Sequence, residues 1–355
     1  MCGGCTLPGV PYAEQLARKR KDLARLLGMD VPALIPSPRE SGFRTKVAFV
    51  FGPHAMGHFA QGSQQVIPIS ECPVHHERGN RIAFALRDRL MRARIPAGIL
   101  RHVIVRATDD GREASAMLVV TRNDKSLRNP VRGLLASAEK PDGFFVNIHN
   151  KPGPFMVGDE TIKIEGRSHV KEVIDGVSYL VSPTAFFQTN VGAARELVKL
   201  VLAEVAGASR VLDLYCGSGL FSLPMAKAGA TVTAVEENRQ AIADAESNVR
   251  LNRLPAGVIR FLAARVEDAL ARVGRDPWDA VVLDPPRQGC PQDVIAAVFE
   301  RIQPPRVVYV SCNPGALARE LPVILKTGYR VTRVQPVDMF PHTDHIETVM
   351  AFERK

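Results

Sequence analysis

No segment of this 355-residue chain approaches the roughly 18 consecutive apolar residues of a membrane-spanning helix, so no bilayer span is expected. Internal repeats and low-complexity tracts are also absent. The chain opens MCGGCTLPGV and runs into ARKRKDLARLL, without an apolar core ahead of a small-residue cleavage site. A cytoplasmic protein with no membrane partner is the expectation. Cysteine is scarce, with six residues at Cys2, Cys5, Cys72, Cys216, Cys290 and Cys312. In a reducing compartment these do not read as a disulfide framework. At about 150 residues per domain the length excludes a single small scaffold and suggests two domains. The 46% hydrophobic and 23% charged residues are ordinary for a globular chain.

Acidic residues are the minority charge: Lys and Arg number 46 against 37 Asp and Glu, for a net charge of +9. Residues 1–180 hold 26 basic and 18 acidic side chains, whereas 181–355 hold 20 and 19. The first half therefore reads either as the surface that meets a polyanion or as a solvated basic face. Arg18, Lys19, Arg20, Lys21, Arg44 and Lys46 are the cations expected to pair with phosphates.

The chain divides into three parts. Residues 1–30 form a cysteine-containing arm with an amphipathic helix from Tyr12 to Leu27, its apolar face made by Leu16, Leu23, Leu26 and Leu27. Residues 31–182 read as a small α+β domain with a mostly antiparallel sheet, in which TKVAFVFG, HVIVRAT, ASAMLVVT, GFFVNI and VSYLVS are strands. A helix is expected from Glu77 to Ala93. Residues 183–355 alternate helix, apolar strand and glycine turn, which specifies an α/β fold with a parallel, doubly wound, Rossmann-like sheet. Its ligand crevice lies at the carboxyl ends of the strands.

In VLDLYCGSGLFS a strand ends at Asp213, turns through Gly217 and Gly219 and enters a helix, while the next strand ends at Glu236. The GxGxxG dinucleotide fingerprint is not met and no Walker lysine is present. An acidic strand end, a compact GxG turn and a second-strand acid form the pattern of S-adenosylmethionine-dependent methyltransferases. VVLDPPRQG sets Asp284 at a third strand end, where it either presents to a planar substrate or merely caps a turn. RVVYVSCNPG brings Cys312 to a fourth, followed by Asn313-Pro314-Gly315. A cysteine exposed by such a turn reads as a nucleophile rather than a core residue. His342, His345 and Glu347 cluster in DMFPHTDHIETV, without HExxH or HxxxH metal spacing. Phe186 and Phe187 are each open to base stacking or to core packing.

FFQTN at Phe186 to Asn190, DLYCGSGLFS, LDPPRQG, YVSCNP and DMFPHTDHIETV, in this order, resemble the RNA uracil-5-methyltransferase family. The resemblance implies that Cys312 adds to uracil C6 and that Glu347 removes the C5 proton. Gln188, Tyr215, Gly217, Glu236 and Asp284 are implied to hold S-adenosylmethionine, with Leu220 where some relatives have asparagine. Cys216 is expected to pack beneath the turn, and Cys290 has no role. CGGCTLPGVPYAEQLARK and PISECP are similar to the iron–sulfur members, which implies a 4Fe-4S cluster on Cys2, Cys5 and Cys72. The family's further cysteine before CGGC is not in the chain as it starts at Met1, so the alternatives are a start further upstream or an incomplete cluster. Zinc on the same thiols with His75 or His76 is another reading. With no small β-barrel ahead of Cys2, the chain is most similar to the short subgroup that acts on 23S rRNA, with tRNA the alternative RNA. A monomer is expected. A nitrogen methyltransferase using the Asp-Pro-Pro loop, and a non-catalytic RNA-binding protein, remain competing readings.

Overall fold

The computed structural model describes residues 2–53, 55–151, 156–274 and 276–355. Helix α1 (Tyr12–Leu27) precedes a first sheet of β1 (Lys46–Phe51), β2 (Met56–Phe59), β3 (Val66–Pro68), β4 (Leu100–Ala107), β5 (Ala114–Val120), β6 (Gly143–Ile148) and β7 (Glu160–Gly166). Its spatial order is β3-β2-β1-β4-β5-β6-β7, and every pair is antiparallel except the parallel β5–β6. Helices α2 (Glu77–Arg92) and α3 (Arg128–Leu135) cover one face, where Leu86, Leu90 and Leu134 share a core with Phe49, Val103 and Phe144.

After the hairpin β8 (Val170–Ile174) and β9 (Val177–Val181), the second sheet takes β10 (Arg210–Leu214), β11 (Thr231–Glu236), β12 (Ile259–Ala263), β13 (Ala280–Leu283), β14 (Arg306–Ser311), β15 (Tyr329–Val337) and β16 (Glu347–Arg354). The order is β12-β11-β10-β13-β14-β16-β15. The first five are parallel and β16 runs antiparallel to both its neighbours. Alternate residues of each strand face opposite ways and both faces are apolar, as a sheet covered on both sides requires. Val211, Val232, Val282 and Val308 pack beneath α4 (Val191–Glu204), α5 (Ser222–Lys227) and α6 (Arg239–Leu251). Leu212, Val281, Leu283 and Tyr309 pack beneath α7 (Val266–Val273), α8 (Gln292–Ala296), α9 (Pro314–Lys326) and α1. This is the doubly wound α/β architecture expected from the alternating pattern. Among the described residues no helix is long and apolar enough to cross a membrane.

Three elements differ from expectation. The run DVIAAVFERI, Asp293 to Ile302, has the apolar pattern of one helix, but after α8 it changes into a π-helical turn over Ala297–Ile302, ending at Gln303 in the left-handed region. The strand VSYLVS lies outside the first sheet: β8 and β9 bury Val170, Tyr179 and Val181 in the core of the second domain, and Asn248 and Asn252 of the α6 segment bond the backbone of Leu180 and Ser178. Helix α1 buries Gln15, Lys19, Leu23 and Leu27, while Leu26 is 47% exposed. The arm is thus integrated with the second domain through α9 and the loop before β16, and its buried stripe is half polar.

Candidate active site

Because β10, β11, β13 and β14 are parallel and in register, their carboxyl ends form one edge. Asp213 and the following turn, Glu236, Asp284 and Cys312 all stand on it. The antiparallel β16 begins at this edge, and Ser311 pairs with Thr348. Cys312 follows Ser311 and Glu347 precedes Thr348, and Glu347 is near enough to raise the Cys312 thiol.

The turn after β10 is compact. Gly219 has φ +90°, and a Cβ there would lie 2.2 Å from Leu223 Cδ1. Gly217 has φ +54° with no atom within 4 Å of a notional Cβ, leaving room for a ligand against the backbone. Its N–H donates to Glu236 Oε2 at 3.1 Å, and Asn238 N–H donates to Oε1 at 2.8 Å. Tyr215 adopts φ +65°, a strained conformation for a bulky side chain. Its hydroxyl neighbours the Cys290 thiol and is shifted upward by burial and then by that thiol. Cys216 is buried, its Sγ 3.6 Å from Gly217 O. Both sides of Gln188 are held by the first domain: Arg106 donates to Phe187 O, and Thr45 donates to Thr189 O through N–H and Oγ1. Phe187 is buried against Tyr179, whereas Phe186 is 74% exposed.

Burial and mutual repulsion govern the acids. Asp213 is raised to about 7 by burial and Glu236, although Ser222 Oγ donates to it. Asp284 is pushed up to about 7 by burial and by Asp213. Glu347 is raised well above the usual carboxylate range by burial and by Asp284, opposed by Arg287. The Cys312 thiol is pushed up to about 11 by burial, Glu347 and Asp284, again opposed by Arg287. Raised carboxyl groups fix the sign of a pH effect, because the native state retains a proton that the unfolded chain releases near 4. Stability drawn from neutral Asp284 is present at low pH and lost as pH rises through about 7. Asp284→Asn keeps the neutral form at all pH values. It should exceed wild type in unfolding free energy by up to about 4 kcal/mol at pH 8, with the difference vanishing below about pH 4. Denaturant titrations of both proteins at pH 4 and pH 8 check this, and a pH-independent difference would contradict it.

Two connections here have no signal in the local sequence. Asn313 Nδ2 donates to Arg287 O at 2.8 Å, tying the Cys312 loop to the Asp284 loop. Behind them, Glu320 of α9 accepts from Tyr309 OH at 2.6 Å and from Cys290 N–H at 3.1 Å. Cys290 is therefore the backbone anchor of the Asp284 loop, its buried thiol raised to about 12 by desolvation. The phosphate-binding expectation fails for two cations. Lys19 is buried in an ion pair with Asp338 at 2.7 Å. Lys46 donates to Ala185 O at 3.3 Å and is lowered to about 7 by burial and by Arg106.

The expected metal centre is not assembled. Cys5 is raised by burial and by the thiols of Cys72 and Cys2, so the three are neighbours. Yet among the described residues no group of three or more His, Cys, Asp or Glu side chains is arranged to hold a metal ion. The His75 ring proposed for zinc is packed against Gly79 and Phe49. As arranged, the described residues build neither the cluster site nor a zinc site. His342 and His345 likewise serve the loop. His342 Nε2 donates to Glu40 O at 2.9 Å, and His345 packs edge-on against Phe340.

The chain is similar to known RNA methyltransferases. A family model described as tRNA (uracil-5-)-methyltransferase matches residues 159–355. An uncharacterized RNA methyltransferase of Thermosynechococcus vestitus is 34% identical over 98% of this chain and 81% of its own length. Another from Geobacter sulfurreducens is 33% identical over 100% of this chain and 76% of its own. The crystal structure of Pyrococcus abyssi tRNA (uracil-54, C5)-methyltransferase with S-adenosyl-L-homocysteine superposes with a TM-score of 0.87 at 29% identity. It covers 99% of this chain and 85% of that one.

Proposed function

The chain belongs to the tRNA (uracil-5-)-methyltransferase family, whose members are S-adenosylmethionine-dependent RNA methyltransferases, and from that premise we propose that it methylates C5 of a uridine in folded RNA through a covalent cysteine adduct. The observation that carries the reading is the meeting of Cys312, which follows the Ser311–Thr348 pair, with Glu347 and Asp284 at the strand-end edge.

Gln188, Gly217, Glu236 and Asp284, with the main chain of Tyr215, are assigned to the methyl donor. Open space over Gly217 and a line of carboxylates along the strand ends suit a cationic, nucleoside-bearing ligand. When bound, S-adenosylmethionine supplies an electrophilic methyl carbon. Uracil C5 is a weak nucleophile until a thiolate is attached at C6. Cys312 Sγ forms that bond, and the C5=C6 electron pair moves into an enolate centred on C5 and O4. C5 would then take the methyl group that bound S-adenosylmethionine would supply, its sulfonium becoming the neutral thioether. Glu347 accepts the C5 proton, the C5=C6 bond re-forms, and the Sγ–C6 bond breaks to return the thiolate. Arg287 favours the anionic forms of both Cys312 and Glu347. A stacked base does not offer C6 to a thiol, so the uridine must be flipped out.

The RNA class divides two readings. Likeness over nearly the whole chain to a tRNA (uracil-54, C5)-methyltransferase favours tRNA, with rRNA the alternative. Mass spectrometry of digested rRNA and tRNA from a strain lacking this protein decides between them. A lost 5-methyluridine is expected in one pool, and its position names the substrate. If both pools keep every 5-methyluridine, the proposal is overturned for these RNAs.

A further inference from the structure

We infer that Lys19 and Gln15 of α1 are positioning residues for Glu347, acting through the loop 338–346 that joins β15 to β16. The inference rests on Glu347 being the base. Val337 and Glu347 are paired across the two strands, so this loop closes the hairpin on which Glu347 is the first residue. Its conformation sets where that carboxylate stands.

The loop is held mainly from the amino-terminal arm, more than 300 residues away in sequence. Lys19 Nζ donates to Asp338 Oδ1 at 2.7 Å and to Phe340 O at 3.0 Å. The Lys19 and Asp338 side chains are only 2% and 0% exposed. Gln15 Oε1 accepts His342 N–H at 2.7 Å, while its amide nitrogen donates to Val10 O at 2.8 Å and stands 3.2 Å from His342 Nδ1. His342 lies at φ +66°, a conformation a non-glycine residue keeps only when its surroundings over-determine it. Leu7 N–H donates to His342 O, and Asp344 N–H donates to Thr6 Oγ1. The start and the middle of the loop are therefore both pinned by one helix.

A buried ion pair is a poor source of stability compared with an apolar pair of the same volume. It does fix geometry, because Lys19 holds both Asp338 and the Phe340 carbonyl, and Asp338 Oδ1 in turn accepts the Phe340 N–H. The apolar residues of the same helix face, Leu23 and Leu27, lie in the core shared with α9. Adhesion of α1 thus rests on leucines, and Lys19 and Gln15 are left to shape the loop. Neither contacts Cys312 or the turn after β10, so their loss should act on proton removal rather than on adduct formation.

The test uses the full chain, methyl-labelled S-adenosylmethionine and total RNA from the deletion strain, with denaturing gels resolving a labelled protein–RNA band from free labelled RNA. Lys19→Met and Gln15→Ala should bind donor and form the band within about threefold of wild type, but slow its decay about tenfold or more. Glu347→Gln is the reference for a blocked decay. If Lys19→Met fails to fold, Gln15→Ala, which keeps the ion pair, carries the same expectation. Unchanged decay, or formation and decay slowed by one common factor, overturns the positioning role. If Glu347→Gln itself accumulates no band, the base assignment fails and this inference falls with it.

Discussion

Cys312→Ala should reduce methyl transfer to RNA by on the order of 10⁴-fold or more, because it removes the bond-forming atom rather than a contact to it. Donor binding should stay within a few fold of wild type. The thiol stands at the end of β14, whereas the turn assigned to the donor follows β10, and β13 lies between those two strands. Wild-type chemistry should also show the thiol in its pH dependence. Burial, Glu347 and Asp284 hold Cys312 protonated up to about 11, so the reactive thiolate is a minor species at neutral pH. Adduct formation by the free enzyme should therefore rise about tenfold per pH unit between pH 7 and 9, where the thiolate fraction grows in proportion. RNA containing 5-fluorouridine gives the direct readout, since the adduct cannot lose fluorine as a proton is lost. Wild type should be trapped as a stable protein–RNA species and the alanine variant should not. Turnover by Cys312→Ala at the wild-type rate would sink the nucleophile assignment and return the nitrogen-methyltransferase reading, in which Cys312 is structural.

Much of the second domain is legible because strand, glycine turn and helix repeat with few exceptions, and apolar runs such as VVLD admit little but a buried strand. Cys312 is readable as a strand-end residue from Asn313-Pro314-Gly315, where Asn313 caps α9. What escapes sequence reading is long-range and polar. Lys19 sits in a run of basic residues and looks like one more solvated cation; only the fold brings Asp338 to it. The stripe Gln15, Lys19, Leu23, Leu27 has perfect helical spacing, but two polar members hide it from a search for apolar periodicity. Glu320 and Cys290 are 30 residues apart and meet because α9 returns behind the Asp284 loop. The hairpin β8–β9 alternates like any half-buried strand pair, and nothing local says which sheet its apolar face will join. The amino-terminal thiols show the same limit: the fold brings the distant Cys72 beside the closely spaced Cys2 and Cys5, yet among the described residues no metal site is built.

Glu347→Gln separates the two halves of the reaction, and its effect should be nearly as large. Removing a positioned general base costs about 10²–10⁴-fold, but here the cost falls on one step only. Glutamine retains the shape of the side chain, which is buried to 5% exposure, and cannot accept the C5 proton. The Cys312 thiol is relieved of a neighbour that raises it when charged, so addition to C6 and methyl transfer should proceed at least as readily. The methylated adduct then has no route to re-form the C5=C6 bond, and the Sγ–C6 bond persists. Ordinary RNA and methyl-labelled donor should consequently yield a labelled protein–RNA complex that survives denaturation, with steady-state turnover reduced about 10²-fold or more. Wild type should show this species only transiently. A variant that loses turnover without accumulating labelled complex would place Glu347 before methyl transfer. Its role would then be to hold the uridine or to take the thiol proton. The same gel, read over time at pH 7 and pH 9, distinguishes those cases: a defect in thiol deprotonation is relieved by the higher pH, whereas a missing C5 base is not.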